Sequence, residues 1–146
     1  ALFWRLEPNR TIAHAPLLGR KRPKDRITAM LTCSSTGEKL PVLFIHKHEN
    51  PRPLRGIEKN SLPVWYYWNT KAWMQRSIFK HYLERFNSKM VRQNRNIILL
   101  LDNASSHNAE NIPTLSNIKV HFLPPNTTSI LQPLDQGIIY SLKVIN

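Results

Sequence analysis

Apolar and polar positions alternate along the chain in patterns that predict several short strands. Segments rich in apolar and β-branched residues, bounded by Pro, Gly, Asn or Ser, are typical of strands. They occur at residues 26–34, 40–47, 64–68, 97–101 and 118–122. The first two flank a turn at residues 36–38, which predicts an antiparallel hairpin. Residues 118–122 alternate apolar and polar, which indicates a half-exposed strand.

A long helix is predicted from Asn69 or Thr70, either of which can serve as its N-cap, to about Met90. Its apolar positions recur at intervals of three and four residues: Ala72, Phe79, Leu83, Phe86 and Met90. We interpret this stripe as core-facing. Trp65 and Trp68 precede the helix, and we interpret them as packing residues, with stacking on nucleic-acid bases as the less favoured alternative.

The remaining segments are polar and rich in Pro and Gly. Residues 5–25 and 48–63 predict loops, and a second helix is expected around 107–116, interrupted by Pro113. A final helix is expected to begin near Pro133. Residues 1–4 resemble the end of an element already under way, so we expect a first strand upstream of the printed sequence.

The apolar run at 97–101 ends in a carboxylate, Asp102. A run so short and apolar predicts a strand buried on both faces, and the carboxyl end of such a strand is where open α/β sheets place their chemistry. Asp135 follows 33 positions later (135 − 102). Converging Asp carboxylates suit a hard cation such as Mg²⁺. Two Asp at this spacing also occur commonly by chance, so the spacing alone is weak support.

The chain is strongly basic, with 21 Lys and Arg against 9 Asp and Glu and a net charge of +12. Its 146 residues predict one domain, residues 1–146. The charge predicts a polyanionic partner, with nucleic acid favoured over an acidic membrane surface, and simple solubility remains the alternative. Candidate phosphate contacts, which fit a solvated loop equally well, are Arg20, Lys21, Arg22 and Lys24. No apolar segment is long enough to span a bilayer.

Three segments contain sequence motifs that are more specific for a protein family than the composition of the chain is. Residues 102–107, 120–129 and 131–137 closely resemble the DDE superfamily of pogo/Tigger transposases, which also contains jerky and centromere-protein-B-like proteins. Shorter matches at residues 2–4, 24–28 and 40–45 extend the resemblance over nearly the whole chain. It implies an RNase H-like α/β fold, a mixed sheet flanked by helices, and cleavage and joining of DNA with Mg²⁺ or Mn²⁺.

By this resemblance, Asp102 and Asp135 match the second and third catalytic, metal-binding acids of the family. The first acid belongs to an Asp-Glu-Thr run ahead of the segment matched by residues 1–4, and the printed sequence has no such run. We therefore expect a core that lacks its first strand and is inactive by itself. Asp25 matches a different family position, and we interpret it as structural.

Several other polar residues are candidates for a supporting role, and for some of them two interpretations are open. Asn103 is a candidate hydrogen-bond support for Asp102. His107 either positions the nucleophile or DNA, or caps the following helix. Asn126, Thr127 and Thr128 either position a phosphate or form a polar turn. His46 and His48 lack a Cys or carboxylate partner at ligand spacing, so we expect no zinc site.

The resemblance implies DNA as the partner, residence in the nucleus and self-association in a transposition complex. Two functions are compatible with the chain at this stage. It is either part of an active transposase or a host protein that keeps the folded domain as a non-catalytic DNA-binding scaffold. An upstream Asp-Glu-Thr would favour the enzyme.

Overall fold

Residues 2–3, 26–102, 112–124, 127, 132, 134, 137 and 139–140 are described by the structure, a computed structural model. Their regular elements are six strands, one α-helix and two short 3₁₀ helices. The chain divides into two units, Ala1–Trp73 and Met74–Asn146, which are treated separately below. The chain is therefore mixed α/β, and the prediction of a single domain stays a prediction.

The first unit is built on a four-stranded sheet in the order β1-β2-β3-β4. The strands are β1 (Leu2–Phe3), β2 (Arg26–Met30), β3 (Leu43–His46) and β4 (Trp65–Trp68). β2 pairs antiparallel with both β1 and β3, which confirms the predicted hairpin, and β3 pairs parallel with β4. Regular pairing of β2 and β3 stops at Met30 and Leu43, so these strands are shorter than predicted. Beyond them the hairpin continues as an isolated bridge between Cys33 and Lys39 and a turn in which the Gly37 N–H donates to the Ser34 carbonyl.

One face of this sheet forms the core of the first unit. Leu43 and Ile45 on β3 are fully buried, whereas the alternate residues Phe44 and His46 are half-buried. Trp65 is also buried, so the interpretation of this side chain as a packing residue is confirmed. The connection between β3 and β4 is mostly exposed, as predicted, and contains the 3₁₀ helices Arg52–Leu54 and Lys59–Ser61.

The second unit contains the helix α1 (Arg76–Arg92), which begins later than predicted. Asn69 does not cap it, because its side-chain oxygen accepts hydrogen bonds from the backbone N–H groups of Lys71 (3.2 Å) and Trp73 (3.1 Å) in a separate loop. The residue at the N-cap is Gln75, which makes no side-chain capping bond. The predicted apolar stripe is largely confirmed, since the helix buries Ile78, Phe79, Tyr82, Leu83, Phe86 and Met90.

The carboxyl end of α1 is closed by a Schellman motif. The Arg95 N–H donates to the Met90 carbonyl, and the Asn94 N–H donates to the Val91 carbonyl, both at 3.0 Å. Asn94 adopts a left-handed backbone with φ of 50°, which Asn tolerates better than most residues. This turn reverses the chain directly into the next strand.

That strand, β5 (Ile97–Leu101), pairs in parallel with β6 (Ile118–Phe122). Both strands have the predicted bounds, and β6 shows the predicted alternation of buried and exposed residues. The prediction that β5 is buried on both faces is wrong. Leu99 is only 9% exposed, but Ile98 and Leu100 are 67% and 54% exposed. Ile98 and Leu100 point to the same face of β5, opposite to Leu99, and that face is exposed.

Side chains tie the strand pair to α1. The Asn117 N–H, just before β6, donates to the Asn87 side-chain oxygen on α1 at 2.9 Å, and the Asn117 amide donates to the Arg95 carbonyl at 3.0 Å. Residues 112–117 are not helical, so the helix predicted around 107–116 is absent from its described part. Ile139 and Tyr140 are helical, in agreement with the predicted final helix.

Candidate active site at the carboxyl end of the parallel strand pair

Asp102 directly follows β5, at the carboxyl end of the parallel pair. Because parallel strands end at the same edge of a sheet, the carboxylate lies beside the segment that leaves β6. The hydrogen-bond ladder continues to this point, since the Leu123 N–H donates to the Leu101 carbonyl at 2.8 Å. Asp102 is half-buried and Leu123 is buried. The backbone on which the carboxylate stands is therefore fixed by pairing on its amino-terminal side.

The segment that leaves β6 forms a tight turn at the same edge. The Thr127 hydroxyl donates to the Pro124 carbonyl at 2.7 Å, and the Thr127 N–H points to the same oxygen at 3.4 Å. The hydroxyl proton of Thr127 is thus used within the turn, which favours the polar-turn reading over a phosphate contact for this residue. Asn126 and Thr128 lie outside the described residues.

Most of the other predicted site residues also lie outside the described residues. They are Asp135, Asn103, His107, Arg20, Lys21, Arg22 and Lys24, together with Asp25. The structure therefore places one of the two predicted catalytic acids, and the proximity of Asp102 and Asp135 stays a prediction.

The donor chemistry of Asp102 suits a hard divalent cation. Mg²⁺ keeps several waters and takes one or two protein carboxylates, so a half-buried carboxylate at a strand end is a suitable ligand. Within the described ranges, no three His, Cys, Asp or Glu side chains are grouped so that they could hold a metal. His46 and His48, the two histidines considered for zinc, are joined by a hydrogen bond in which the His48 N–H donates to His46 Nδ1 at 3.0 Å.

Exposed cations on α1 were not among the predicted phosphate contacts, which were the loop cations of residues 20–24. Arg76, Lys80 and Arg92 are exposed on the helix, whose sequence contains a single acid, Glu84. The available signal was spacing: Arg76 and Lys80 are four residues apart, so they lie on one helix face. The second unit thus contains both the strand-end carboxylate Asp102 and a helix with exposed cations.

These features define a mixed α/β protein with an acidic site at the end of parallel strands. Residues 24–145 match the family model described as DDE superfamily endonuclease. The chain belongs to this family, and the predicted resemblance is confirmed.

Three relatives cover nearly the whole chain. It is 35% identical to mouse Tigger transposable element-derived protein 4 over 98% of its length and 35% identical to the human Jerky protein homolog over 94%. It is 36% identical to ARS-binding protein 1 of Schizosaccharomyces pombe over 97% of its length. The chain spans 28%, 26% and 28% of these relatives, respectively. No solved structure matches the chain. Among the described residues, no helix is both long and apolar enough to cross a membrane.

Proposed function

We propose that this chain is part of the catalytic core of a DDE transposase or endonuclease that cleaves and joins DNA phosphodiesters. The observation that carries the proposal is the position of Asp102 at the carboxyl end of β5 in a chain of the DDE endonuclease family. A relative whose name describes it as derived from a transposable element supports the same reading. The proposed complete architecture is an RNase H-like mixed sheet flanked by helices.

In this proposal Asp102 and Asp135 hold the divalent cation, Mg²⁺ or Mn²⁺. Such an ion stabilises charge on the attacking and leaving oxygens of a phosphodiester. The role of Asp102 is to present its carboxylate from a backbone that is fixed by the pairing of β5 and β6. Exposed cations such as Arg76, Lys80 and Arg92 hold the DNA backbone, with the loop cations of residues 20–24 as further phosphate contacts. Residence in the nucleus and self-association on DNA complete the proposal.

A second candidate is a host protein that binds DNA without cutting it. One observation favours it: a relative is named for binding, ARS-binding protein 1. The two candidates share a DNA-binding surface and differ in cleavage. Cleavage is therefore the property to measure.

The test is nicking of supercoiled plasmid with Mg²⁺. Residues 1–146 alone should give no nicking, and robust nicking that depends on Asp102 would contradict this expectation. In a longer protein that also contains the Asp-Glu-Thr acid, Asp102→Asn and Asp135→Asn should each abolish nicking and leave duplex binding intact. Glu84→Gln, which neutralises an exposed carboxylate on α1, is the matched control and should cleave normally. Full cleavage by either Asp variant would remove that residue from the site.

A further inference from the structure

Two large aromatic side chains are exposed at the end of β4. Trp68, the last residue of the strand, is 46% exposed, and Trp73, at the end of the loop that follows, is 53% exposed. Trp side chains are large enough that half of one in solvent leaves much apolar surface uncovered. The sequence pattern led us to interpret Trp68 as a packing residue and to place Trp73 alongside the core-facing stripe of the predicted helix. We refer to residues 68–73, which include Trp68, Lys71 and Trp73, as the tryptophan loop.

The tryptophan loop is held in one shape by hydrogen bonds. Besides accepting from two backbone N–H groups, the Asn69 side chain donates to the Trp73 carbonyl at 2.7 Å. The Ala72 N–H donates to the Asn69 carbonyl at 2.9 Å, and the Thr28 hydroxyl on β2 donates to the Ala72 carbonyl at 2.8 Å. The Asn69 N–H also donates to the His46 carbonyl of β3 at 3.0 Å, so both ends of the loop are fastened to the sheet.

The backbone of the loop is also strained. Ala72 has φ of 50° and is fully buried, and a non-glycine residue in this region costs of order 1 kcal/mol or more. Such strain persists where surrounding contacts hold it, and it is often found at ligand clamps. The loop thus presents its two Trp side chains on a fixed frame, which lowers the entropy cost of binding a partner.

The surroundings of Trp68 are aromatic and basic. Alternation along β4 places Trp68 on the same face as Tyr66, and in the parallel register Trp68 is opposite His46. The Tyr66 ring stacks with Phe44 at 6.1 Å, and the Lys59 ammonium lies 5.8 Å from its centroid. The face of β3 and β4 opposite to Leu43 and Ile45 therefore carries aromatic rings, from the buried Tyr66 to the exposed Trp68.

The charge around the loop selects among the possible partners. Lys71 is exposed between the two Trp residues, and the sequence has no acid between Glu58 and Glu84. A partner that offers both a flat ring and a negative charge matches this combination. Stacking of nucleic-acid bases on aromatic side chains, with nearby cations on the phosphates, is the usual mode of single-strand binding. Bases inside a duplex do not present their faces for such stacking.

We propose that the tryptophan loop binds unpaired nucleotides of a DNA strand, with Trp68 and Trp73 stacking on bases and Lys71 contacting phosphate. The inference deepens the proposed function, on which it rests for the choice of a nucleic-acid ligand. It adds a site for single-stranded DNA that belongs to the first unit of the chain. Such a site would hold the strand that is unpaired at a DNA end during cleavage or joining.

The test measures the binding of the 146-residue chain to fluorescently labelled oligodeoxythymidine and to a labelled duplex at one ionic strength. Trp68→Ala and Trp73→Ala should each weaken single-strand binding about five-fold or more, since stacking contributes at least about that factor per base. Duplex binding should change less than about two-fold by the same reasoning. Trp68→Phe, which keeps an aromatic face, should retain most of the binding. Ile57→Ala removes another exposed apolar side chain of the same unit, 43% exposed, and should bind normally.

Each other outcome has a defined meaning. If the Trp variants match the parent chain in single-strand binding, and circular dichroism shows that they fold, the inference is overturned. Concentration-dependent self-association that Trp68→Ala dissolves, with single-strand binding intact, would identify a protein-binding surface and also overturn it. If the unaltered chain binds neither the single strand nor the duplex, the result would instead contradict the proposed function on which the inference rests.

Discussion

The two neighbouring leucines of β5 provide a direct test of how this strand is buried. Leu99 and Leu100 are 9% and 54% exposed, so the same substitution to Ala removes very different amounts of buried surface. A fully buried Leu loses about 2.4 kcal/mol of transfer free energy on truncation to Ala, at about 0.8 kcal/mol per carbon. With a cavity term added, Leu99→Ala should cost about 3 kcal/mol. Leu100→Ala, which removes about half as much buried surface, should cost about 1 kcal/mol.

Thermal and urea unfolding of the 146-residue chain, followed by circular dichroism, measure this difference. A gap of about 2 kcal/mol corresponds to a Tm difference of about 4–8 °C for a chain of this size. The pair serves as its own control, because both variants exchange the same residue types in the same strand. Equal destabilisation by the two substitutions would show that β5 is buried on both faces, as the sequence pattern predicted, and would refute the one-sided packing.

Three further predictions concern the helix end, a buried phenol and the charge. Asn94→Gly should leave the unfolding midpoint unchanged or raise it, whereas Asn94→Ala should cost about 1 kcal/mol at φ of 50°; the opposite order would argue against the Schellman motif. Burial raises the pKa of the Tyr66 phenol. The unfolded chain therefore ionises first, and stability should fall as pH rises above about 10. In Tyr66→Phe this fall should be shallower, while loss of the 2.6 Å bond to the His48 carbonyl should cost about 1 kcal/mol at neutral pH; an unchanged profile would show that Tyr66 does not contribute. Duplex binding measured by anisotropy should weaken about 3.5-fold per phosphate contacted between 50 and 200 mM salt, and salt-insensitive binding would contradict a backbone-binding surface.

The sequence predicted the elements well wherever an apolar period was long or a turn was strong. The hairpin of β2 and β3, the buried stripe of α1 and the bounds of β5 and β6 all follow from such patterns. The start of α1 did not, because Asn is equally suited to capping a helix and to folding its side chain onto the backbone of a loop. Asn69 does the latter, and tertiary contact between Thr28 and Ala72 stabilises that choice.

The candidate site was predicted from local sequence motifs and not from the periodicity of apolar residues. A carboxylate after an apolar strand identifies a sheet edge, and the structure places Asp102 there. The burial of β5 was overpredicted because an apolar run shows which side chains a strand is able to bury. It does not show whether other elements cover one face of the strand or both. The exposure of Trp73 was not predicted for a related reason, since the predicted helix included this residue. Trp73 lies instead in a loop whose shape depends in part on a hydrogen bond between Thr28 and Ala72, which are far apart in the sequence.

We propose above that Asp102 and Asp135 bind a shared divalent cation. Paramagnetic Mn²⁺ added to the isotopically labelled 146-residue chain tests it by NMR, since amide signals near the bound ion broaden. We predict broadening at Leu101 and Leu123 and also at Gly137, reduced together by either Asp102→Asn or Asp135→Asn and unchanged by Glu84→Gln. Broadening at only one of these two groups of amides, or broadening that persists in Asp102→Asn, would contradict the claim.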